Sequence, residues 1–259
     1  IGCAMLVATL LLSFTGYLLP WDQLAFWAVT VGTNIASEAP LVGPAVRELL
    51  LGGREIGQAA LLRFYLLHVV ALPVVMAVLV AYHMWRIRKD GGLAAAGAAE
   101  SGETVQAIPA VALRMAVVSM ATLFVVTVLA MAIPSPLEEA ANPLVTPNPA
   151  KAPWYFLWLQ EVVADTTFRI GPVTVNGALV GGVLLPSLLL AGLVVWPWLD
   201  RSPAAATGIA LPSSRRTQVV VFLILAAAIL ALTLVGLLRG PGWQFYWPWE
   251  SWPVVPTRF

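Results

Sequence analysis

Long apolar runs alternate with shorter polar connectors along the 259 residues of this chain. A helix needs about twenty consecutive apolar residues to cross a bilayer. Five runs approach or exceed that length, with four connectors between them and a tail after the last. The runs cover residues 1–19, 64–85, 110–133, 176–199 and 217–238. The pattern therefore predicts an all-α membrane protein with five transmembrane helices.

Two of the connectors carry a pattern of their own. Residues 20–62 mix apolar positions at helical spacing with Trp, Pro and Gly, which predicts short helices lying at the membrane surface. Residues 134–175 have the same character: prolines form an extended lead-in, and an amphipathic helix is expected to start near Pro153. Structured connectors of this size usually build a site, and both are predicted on the same side of the membrane.

A third connector, residues 91–104, is small, polar and rich in Ala and Gly, which is typical of a flexible linker. We therefore expect a front part with two spans over 1–90, a linker over 91–108 and a rear part with three spans over 109–259. The tail of the rear part is rich in Trp and is expected to anchor at the interface, because indole rings favour the headgroup level.

Charge predicts the orientation of the chain. Lys and Arg are densest in the connectors 86–114 and 200–216, and such connectors usually face the cytoplasm. The start of the chain is then expected on the cytoplasmic side and its end outside. The chain opens without Met inside an apolar run, so we expect an upstream segment, either in the same polypeptide or on another chain.

Composition excludes several classes of function. Sixty per cent hydrophobic and ten per cent charged residues are typical of an integral membrane protein, and a net charge of +1 gives no case for nucleic-acid binding. The single cysteine, Cys3, cannot form an internal disulfide or hold an iron–sulfur cluster. A C-x-x-C-H attachment site is absent, so a haem would be bound non-covalently unless Cys3 made an unusual link.

Both histidines of the chain, His68 and His83, lie in one predicted span. At helical spacing, fifteen residues return to within roughly 60° of the starting direction and climb about 22 Å. One edge of the helix thus offers two imidazoles, one toward each membrane surface, a geometry suited to two stacked metal centres such as haems. From these residues alone, two unrelated histidines are an equal alternative, one hydrogen-bonded to a neighbouring helix and one near the interface.

Three ordered motifs decide between the alternatives. They are TGYLLPWDQLAFWAVTVGTN from residue 15, RFYLLHVVALPVVMAVLVAYH from residue 63 and NPLVTPNPAKAPWYFLWLQE from residue 142. Together they resemble cytochrome b, the membrane core of cytochrome bc-type quinol oxidoreductases. The histidine spacing and the stretch HMWRIRKDGG are more similar to the chloroplast and cyanobacterial branch, with the two halves fused and the first two spans of the family absent.

The resemblance implies roles for the residues on the histidine helix. His68 would ligate the outer, low-potential b haem and His83 the inner, high-potential one. Gly2 and Gly16 fall where the family has glycines packed against the porphyrins, and glycine lets a flat ring approach the backbone closely. The second axial ligand of each haem would come from the preceding span, in an upstream cytochrome b segment. The remaining candidates for cofactor binding are Arg63, Arg88 and Lys89.

The resemblance also implies two quinone sites. An outer, quinol-oxidising pocket would lie between residues 20–33 and 153–161. An inner, quinone-reducing pocket would lie near His83, where Arg88 and Lys89 could hold quinone oxygens or conduct protons.

The chain departs from the family at the outer pocket. Where relatives commonly read Pro-Glu-Trp-Tyr, this chain reads Ala-Pro153-Trp154-Tyr155, and a proline cannot take a proton from quinol. We expect Glu161, about two helical turns further on, to do so, against the alternative of an exposed surface carboxylate. Asp22 is a weaker candidate at the same pocket. Relatives with such a motif tend to use low-potential quinones, which favours menaquinol.

The function implied is a Q cycle that builds a proton gradient across a bacterial plasma membrane. The expected partners are a Rieske-type iron–sulfur protein, a c-type cytochrome and a second copy of the complex. Two alternatives are a di-haem membrane anchor of a dehydrogenase and a haem-free transporter or scaffold. The first would not need the two elaborate outer connectors, and the second would leave the histidines unligated.

Overall fold

The computed structural model describes residues 1–90, 107–133, 137–200 and 215–251. These residues form eight helices and one two-stranded hairpin. The helices are α1 Gly2–Tyr17, α2 Gln23–Ser37, α3 Gly43–Leu51, α4 Gln58–Lys89, α5 Pro109–Ala132, α6 Leu157–Asp165, α7 Ala178–Leu199 and α8 Arg216–Leu238. The expected linker falls mostly outside the described residues, as do the last eight residues of the tail, and the part boundaries stay a prediction.

Four of these helices are long and apolar enough to cross a membrane: α4, α5, α7 and α8. Their bounds agree closely with the predicted runs, and the protein is an all-α membrane protein. The first predicted run forms α1, an apolar helix of 16 residues that is shorter than the others.

Proline sets a local distortion in two of the long helices. Residues Leu67–Ala71 of α4 and Ala178–Leu184 of α7 are π-helical, and Pro73 and Pro186 follow them by two residues. Since proline has no N–H to donate within the helix, the preceding turn widens. The N–H of Leu72 accordingly bonds the carbonyl of Leu67, five residues back.

Short helices are present in both connectors that were predicted to contain them. The first contains α2 and α3; Asp22 caps α2 by accepting a hydrogen bond from the N–H of Ala25 (2.9 Å), and α3 ends at Gly52, whose φ of 73° suits glycine. In the other connector a 3₁₀ turn, Trp154–Phe156, leads into α6, close to the expected start at Pro153.

A small antiparallel hairpin joins α6 to α7 and was not predicted. Its strands, β1 Phe168–Ile170 and β2 Val173–Val175, pair Ile170 with Val173 across a turn that contains Gly171. Three residues per strand are too few to show the alternating pattern that identifies a strand in sequence.

The buried core lies at the junction of α1, α4 and the first connector. It comprises Leu18, Val29, Leu51, Ala60 and Phe64, each no more than 1% exposed. Burying a side chain of the size of Val, Leu or Phe contributes roughly 1.5–3 kcal/mol, so this cluster fixes α2 and α3 onto the histidine helix. The long spans are by contrast exposed along most of their length.

The rear part docks onto the start of α2 through several hydrogen bonds, of which Gln23 makes the most. Gln23 accepts a hydrogen bond from the N–H of Asn142 (2.6 Å) and donates to the carbonyl of Val145, which also accepts from the indole N–H of Trp27 (3.0 Å). These bonds join the two outer connectors and hold one edge of the site.

Candidate functional site

His68 and His83 lie on α4, with His68 inside its π turn. The turn adds one residue relative to an ideal α-helix, which changes the angle between the two side chains from roughly +60° to roughly −40°. They therefore remain on one side of the helix, as the sequence predicted, and both are half-buried.

The imidazole of His68 has a defined partner. Its Nδ1 lies 3.0 Å from Oγ1 of Thr15 on α1, and the same hydroxyl lies 2.8 Å from the carbonyl of Leu11. A carbonyl has no proton to give, so the hydroxyl donates its proton to Leu11 and accepts one from Nδ1–H. In the neutral imidazole this assignment leaves the lone pair of Nε2, which metal ligation requires, free.

Gly16 makes room for this imidazole. A Cβ at Gly16 would lie 2.6 Å from Cε1 and 3.2 Å from Nε2 of His68, closer than carbon atoms can approach without movement. Gly16, which was predicted to accommodate a porphyrin, thus directly contacts the imidazole ring of His68, the expected axial ligand of that haem.

His83 has a much more open environment. The hydrogen bonds of the described residues include one to His68 and none to His83. Gly2, its predicted counterpart to Gly16, is exposed, and a Cβ there would meet no described atom within 4 Å.

The basic candidates at the two ends of α4 differ in their contacts. Arg63 donates to the carbonyl of Leu49 and so secures the end of α3. At the inner end, Nζ of Lys89 lies 5.0 Å from the ring centroid of Trp85, and Arg88 is exposed. The C-terminal end of α4, predicted to be the inner one, therefore presents positive charge close to His83.

The donor set fits a haem better than a bare metal ion. The described residues contain no group of three or more His, Cys, Asp or Glu side chains that could together hold an ion. A haem brings four nitrogen ligands of its own and needs one or two from the protein. Single histidines at two levels of one helix, one of them with a free Nε2, meet that need.

An apolar cavity of about 680 Å³ lies between α1, α2, α6, α7 and the segment leading into α6. This volume is in the range of sites that enclose a small organic ligand. Phe14 of α1 lines it, and its ring packs edge-to-face on Phe156 of the cavity wall and on Phe64 of α4, with centroids 6.2 and 6.3 Å apart. The cavity thus lies next to the helix that faces His68.

Pro153 lies in the cavity wall, but the other four residues predicted to act there, Asp22, Trp154, Tyr155 and Glu161, do not line it. Trp154 is 70% exposed. The hydroxyl of Tyr155 donates to the carbonyl of Ser13 (3.3 Å), and burial raises the pKa of this phenol. Asp22 is committed to the cap of α2 and also accepts from the N–H of Glu138 (3.3 Å).

Glu161 is fully buried, and the alternative of an exposed surface carboxylate is wrong. Its Oε1 accepts from Nε of Arg239 at 2.8 Å and from Nη2 at 2.5 Å, while its Oε2 has no partner among the described residues. The hydrogen bond to Glu161 raises the pKa of Arg239, so this guanidinium stays charged. The pair joins α6 to the C-terminal end of α8.

Lys151 belongs to the same corner. Its ammonium donates to the carbonyl of Leu237 at the end of α8 (2.7 Å), and burial lowers its pKa, opposed by the charge of Glu161. Sequence reasoning missed Thr15, Lys151, Gln160 and Arg239. Thr15 directly precedes Gly16, but the partners of the other three are far along the chain or on its backbone, so no local pattern marks them.

Comparisons with known proteins agree with this geometry. A family model described as "Cytochrome b(N-terminal)/b6/petB" matches residues 1–147, and one described as "Cytochrome b(C-terminal)/b6/petD" matches residues 140–247. A chain of a solved structure titled "Hyperthermophilic respiratory Complex III" is 27% identical, with a TM-score of 0.65. The match covers 91% of this chain and 61% of that chain, so this chain spans less than two thirds of the length of that relative.

Proposed function

The chain belongs to the cytochrome b family, and we propose that it is the cytochrome b subunit of a bc-type quinol oxidoreductase. Family membership implies the binding of b-type haem. In the proposed function the subunit takes quinol at an outer site, relays electrons between two haems and reduces quinone at an inner site. The net result is a proton gradient.

The single observation that carries the proposal is that α1 is a wall shared by the cavity and the His68 site. Phe14 lines the cavity, whereas the next two residues, Thr15 and Gly16, contact His68. Since a helix with its side chains is about 10 Å thick, a ligand in the cavity and a group held by His68 would be about one helix apart. Such proximity suits electron transfer from a bound quinol.

The residues of the chain would divide the work as follows. The apolar cavity binds the quinol and keeps water away from it. His68 and His83 each hold one haem, and the haems, when bound, supply one-electron transfer along α4. Arg88 and Lys89 attract the quinone that is reduced at the inner end and help to supply its protons.

The partners and the substrate follow from the family rather than from the geometry. We propose that a Rieske-type iron–sulfur protein and a c-type cytochrome accept electrons outside, that an upstream cytochrome b segment supplies the other haem ligands, and that the complex is a homodimer. A low-potential quinol, menaquinol, is the proposed donor.

Turnover of the purified complex tests the proposal. We expect reduced menaquinol analogues to reduce the bound b haem and an external high-potential acceptor, and quinol analogues that fill the outer cavity to inhibit both. A complex with normal b-type absorbance that a quinol cannot reduce would exclude the function.

Glu161 remains our candidate for accepting the proton of quinol. Two features support this role: Oε1 is held by Arg239 while Oε2 is buried without a partner, and the preceding residue, Gln160, lines the cavity. A positioned general base contributes typically a factor of about 10² to 10⁴ to a rate. We therefore expect Glu161→Gln to lower quinol oxidation at least about tenfold.

The matched control is Asp165→Asn. Asp165 faces the same guanidinium of Arg239 at 3.5 Å, is 55% exposed at its side chain and should change turnover less than about twofold. Haem content and thermal stability are measured for both variants. Wild-type turnover in the Glu161→Gln complex would leave this carboxylate with a purely structural role.

A further inference from the structure

The side chain of Gln160 on α6 folds back onto the segment that precedes the helix. Its Oε1 accepts a hydrogen bond from the N–H of Ala152 (2.7 Å), and its Nε2 donates to the carbonyl of Ala150 (2.7 Å). One carboxamide thus satisfies both a donor and an acceptor of the same backbone stretch, eight to ten residues away. Ala150, Ala152 and Gln160 all line the apolar cavity.

Three other polar side chains of this cavity wall are also bound to backbone carbonyls. The indole N–H of Trp158 donates to Tyr155 (3.1 Å), that of Trp27 donates to Val145 (3.0 Å), and the ammonium of Lys151 donates to Leu237 (2.7 Å). Gln160 differs from them in gripping the backbone at two points. Its two hydrogen bonds connect α6 directly to the segment 150–153.

We infer that Gln160 is a positioning residue, which sets the width of the cavity by holding the segment 150–153 against α6. The inference rests on the proposed function in naming quinol as the molecule whose fit it controls. Pro153, which ends the segment, has no backbone N–H and cannot donate a hydrogen bond. The two bonds of the Gln160 carboxamide therefore hold this wall of the cavity in place.

Two substitutions separate the positioning role from simple packing. Gln160→Leu keeps most of the volume but loses both hydrogen bonds and leaves the N–H and carbonyl of the segment without their partner. We expect the KM for quinol to rise about tenfold with kcat changed less than about threefold, because a looser wall weakens binding more than it alters the chemistry. Gln218→Leu is the control. Gln218 lies at the start of α8 and does not line the cavity, so this variant should have the KM and kcat of the wild type.

Gln160→Glu provides a reversible test. When protonated, the introduced carboxyl can accept from Ala152 and donate to Ala150, as the carboxamide does, whereas the ionised form places negative charge against the Ala150 carbonyl. We expect the ratio of its KM to that of the wild type to be about ten near pH 8 and to fall toward one near pH 5. The charged groups around it are Lys151 in the segment, Glu161 and Asp165 on α6, and Arg239 after α8, and the wild-type profile accounts for these.

Hydrogen exchange of the purified complex gives a readout that does not depend on turnover. In Gln160→Leu the amide of Ala152 should exchange at least about tenfold faster than in wild type, while amides of α2 stay unchanged. Unchanged exchange at Ala152, or a KM ratio for Gln160→Glu that does not vary with pH, would overturn the inference. Failure of the proposed function would instead show as absent quinol oxidation in the wild type, with the exchange result intact.

Discussion

The two histidines of α4 lie on one helix but in different surroundings. His68 is hydrogen-bonded to Thr15, contacts Gly16 and lies in a π turn above a buried core. His83, about four turns further on, has no hydrogen bond from the described residues, and the space at Gly2 is open. The same side chain is therefore held in place by neighbouring residues at position 68 and much less so at position 83.

The difference lies in what packs against each end of the helix. At the outer end, α1 and the first connector close around α4 and fix the tautomer of His68 before any ligand binds. At the other end α1 also packs along α4, but the described polar contacts are a cation beside a Trp ring and the Arg86–Asp90 ion pair (3.0 Å), formed by α4 and the residue that follows it. The imidazole of His68 is thus held by a hydrogen bond from another helix, whereas the described polar contacts near His83 are local to its own helix.

Substitutions of Gly16 and Gly2 should have the largest effects on haem content, and the effects should differ between the two ends of α4. Gly16→Val places methyl groups where the imidazole of His68 lies, and overpacking of this kind costs typically about 1–3 kcal/mol. We expect the variant complex to lose most of its outer haem, seen as one missing component in a redox titration of b-type absorbance. Gly2→Val meets open space in the polypeptide, so the packing of the protein itself should cost less than about 0.5 kcal/mol in this variant.

The Gly2 variant also sharpens the contrast. If a porphyrin fills the open space beside Gly2, as proposed, Gly2→Val lowers the content of the inner haem while the outer component is unchanged. Equal loss of the outer component in both variants would mean that the two ends are not independent, and the contrast between them would fail.

A smaller effect is expected from Thr15→Val, which keeps the shape of the side chain and removes the hydroxyl. The Nδ1–H of His68 then loses its acceptor, which makes the imidazole a weaker donor to iron and favours the reduced state. A tenfold change in relative affinity corresponds to about 59 mV for one electron. We expect the midpoint potential of the outer component to rise by tens of millivolts.

The control for this measurement is Thr9→Val on the same helix. The hydroxyl of Thr9 donates to the carbonyl of Met5 (2.9 Å), as that of Thr15 does to Leu11, but it has no imidazole partner. Its substitution should leave both potentials unchanged. A shift of the inner component in Thr15→Val, with the outer one unmoved, would contradict the assignment of His68 to the outer haem.

Much of the fold could be predicted because each span is encoded locally. Apolar runs of twenty residues need no long-range information, and α4, α5, α7 and α8 lie where the runs predicted them. The short helices of the two connectors were also recognisable, because apolar positions recur there at helical spacing and Pro153 marks the start of the second set. The cap that Asp22 forms on α2 was found only in the structure. The β-hairpin was missed because its strands are too short for a pattern.

The site could be predicted only in part. His68, Gly16 and Pro153 were predicted and lie at the candidate site, but the partners that define their surroundings come from elsewhere in the chain. Arg239 binds Glu161 across 78 positions, and Thr15 reaches His68 across 53. Such contacts follow from the packing of helices against each other, and no periodicity in the sequence reports them.

The most direct test of the account is a redox titration of b-type absorbance in the purified complex, with His68→Leu and His83→Leu beside the wild type. We expect two one-electron components in the wild type, loss of the outer component in His68→Leu and loss of the inner one in His83→Leu. A complex without b-type absorbance, or one in which both components survive both substitutions, would contradict the claim that these two histidines each hold a haem.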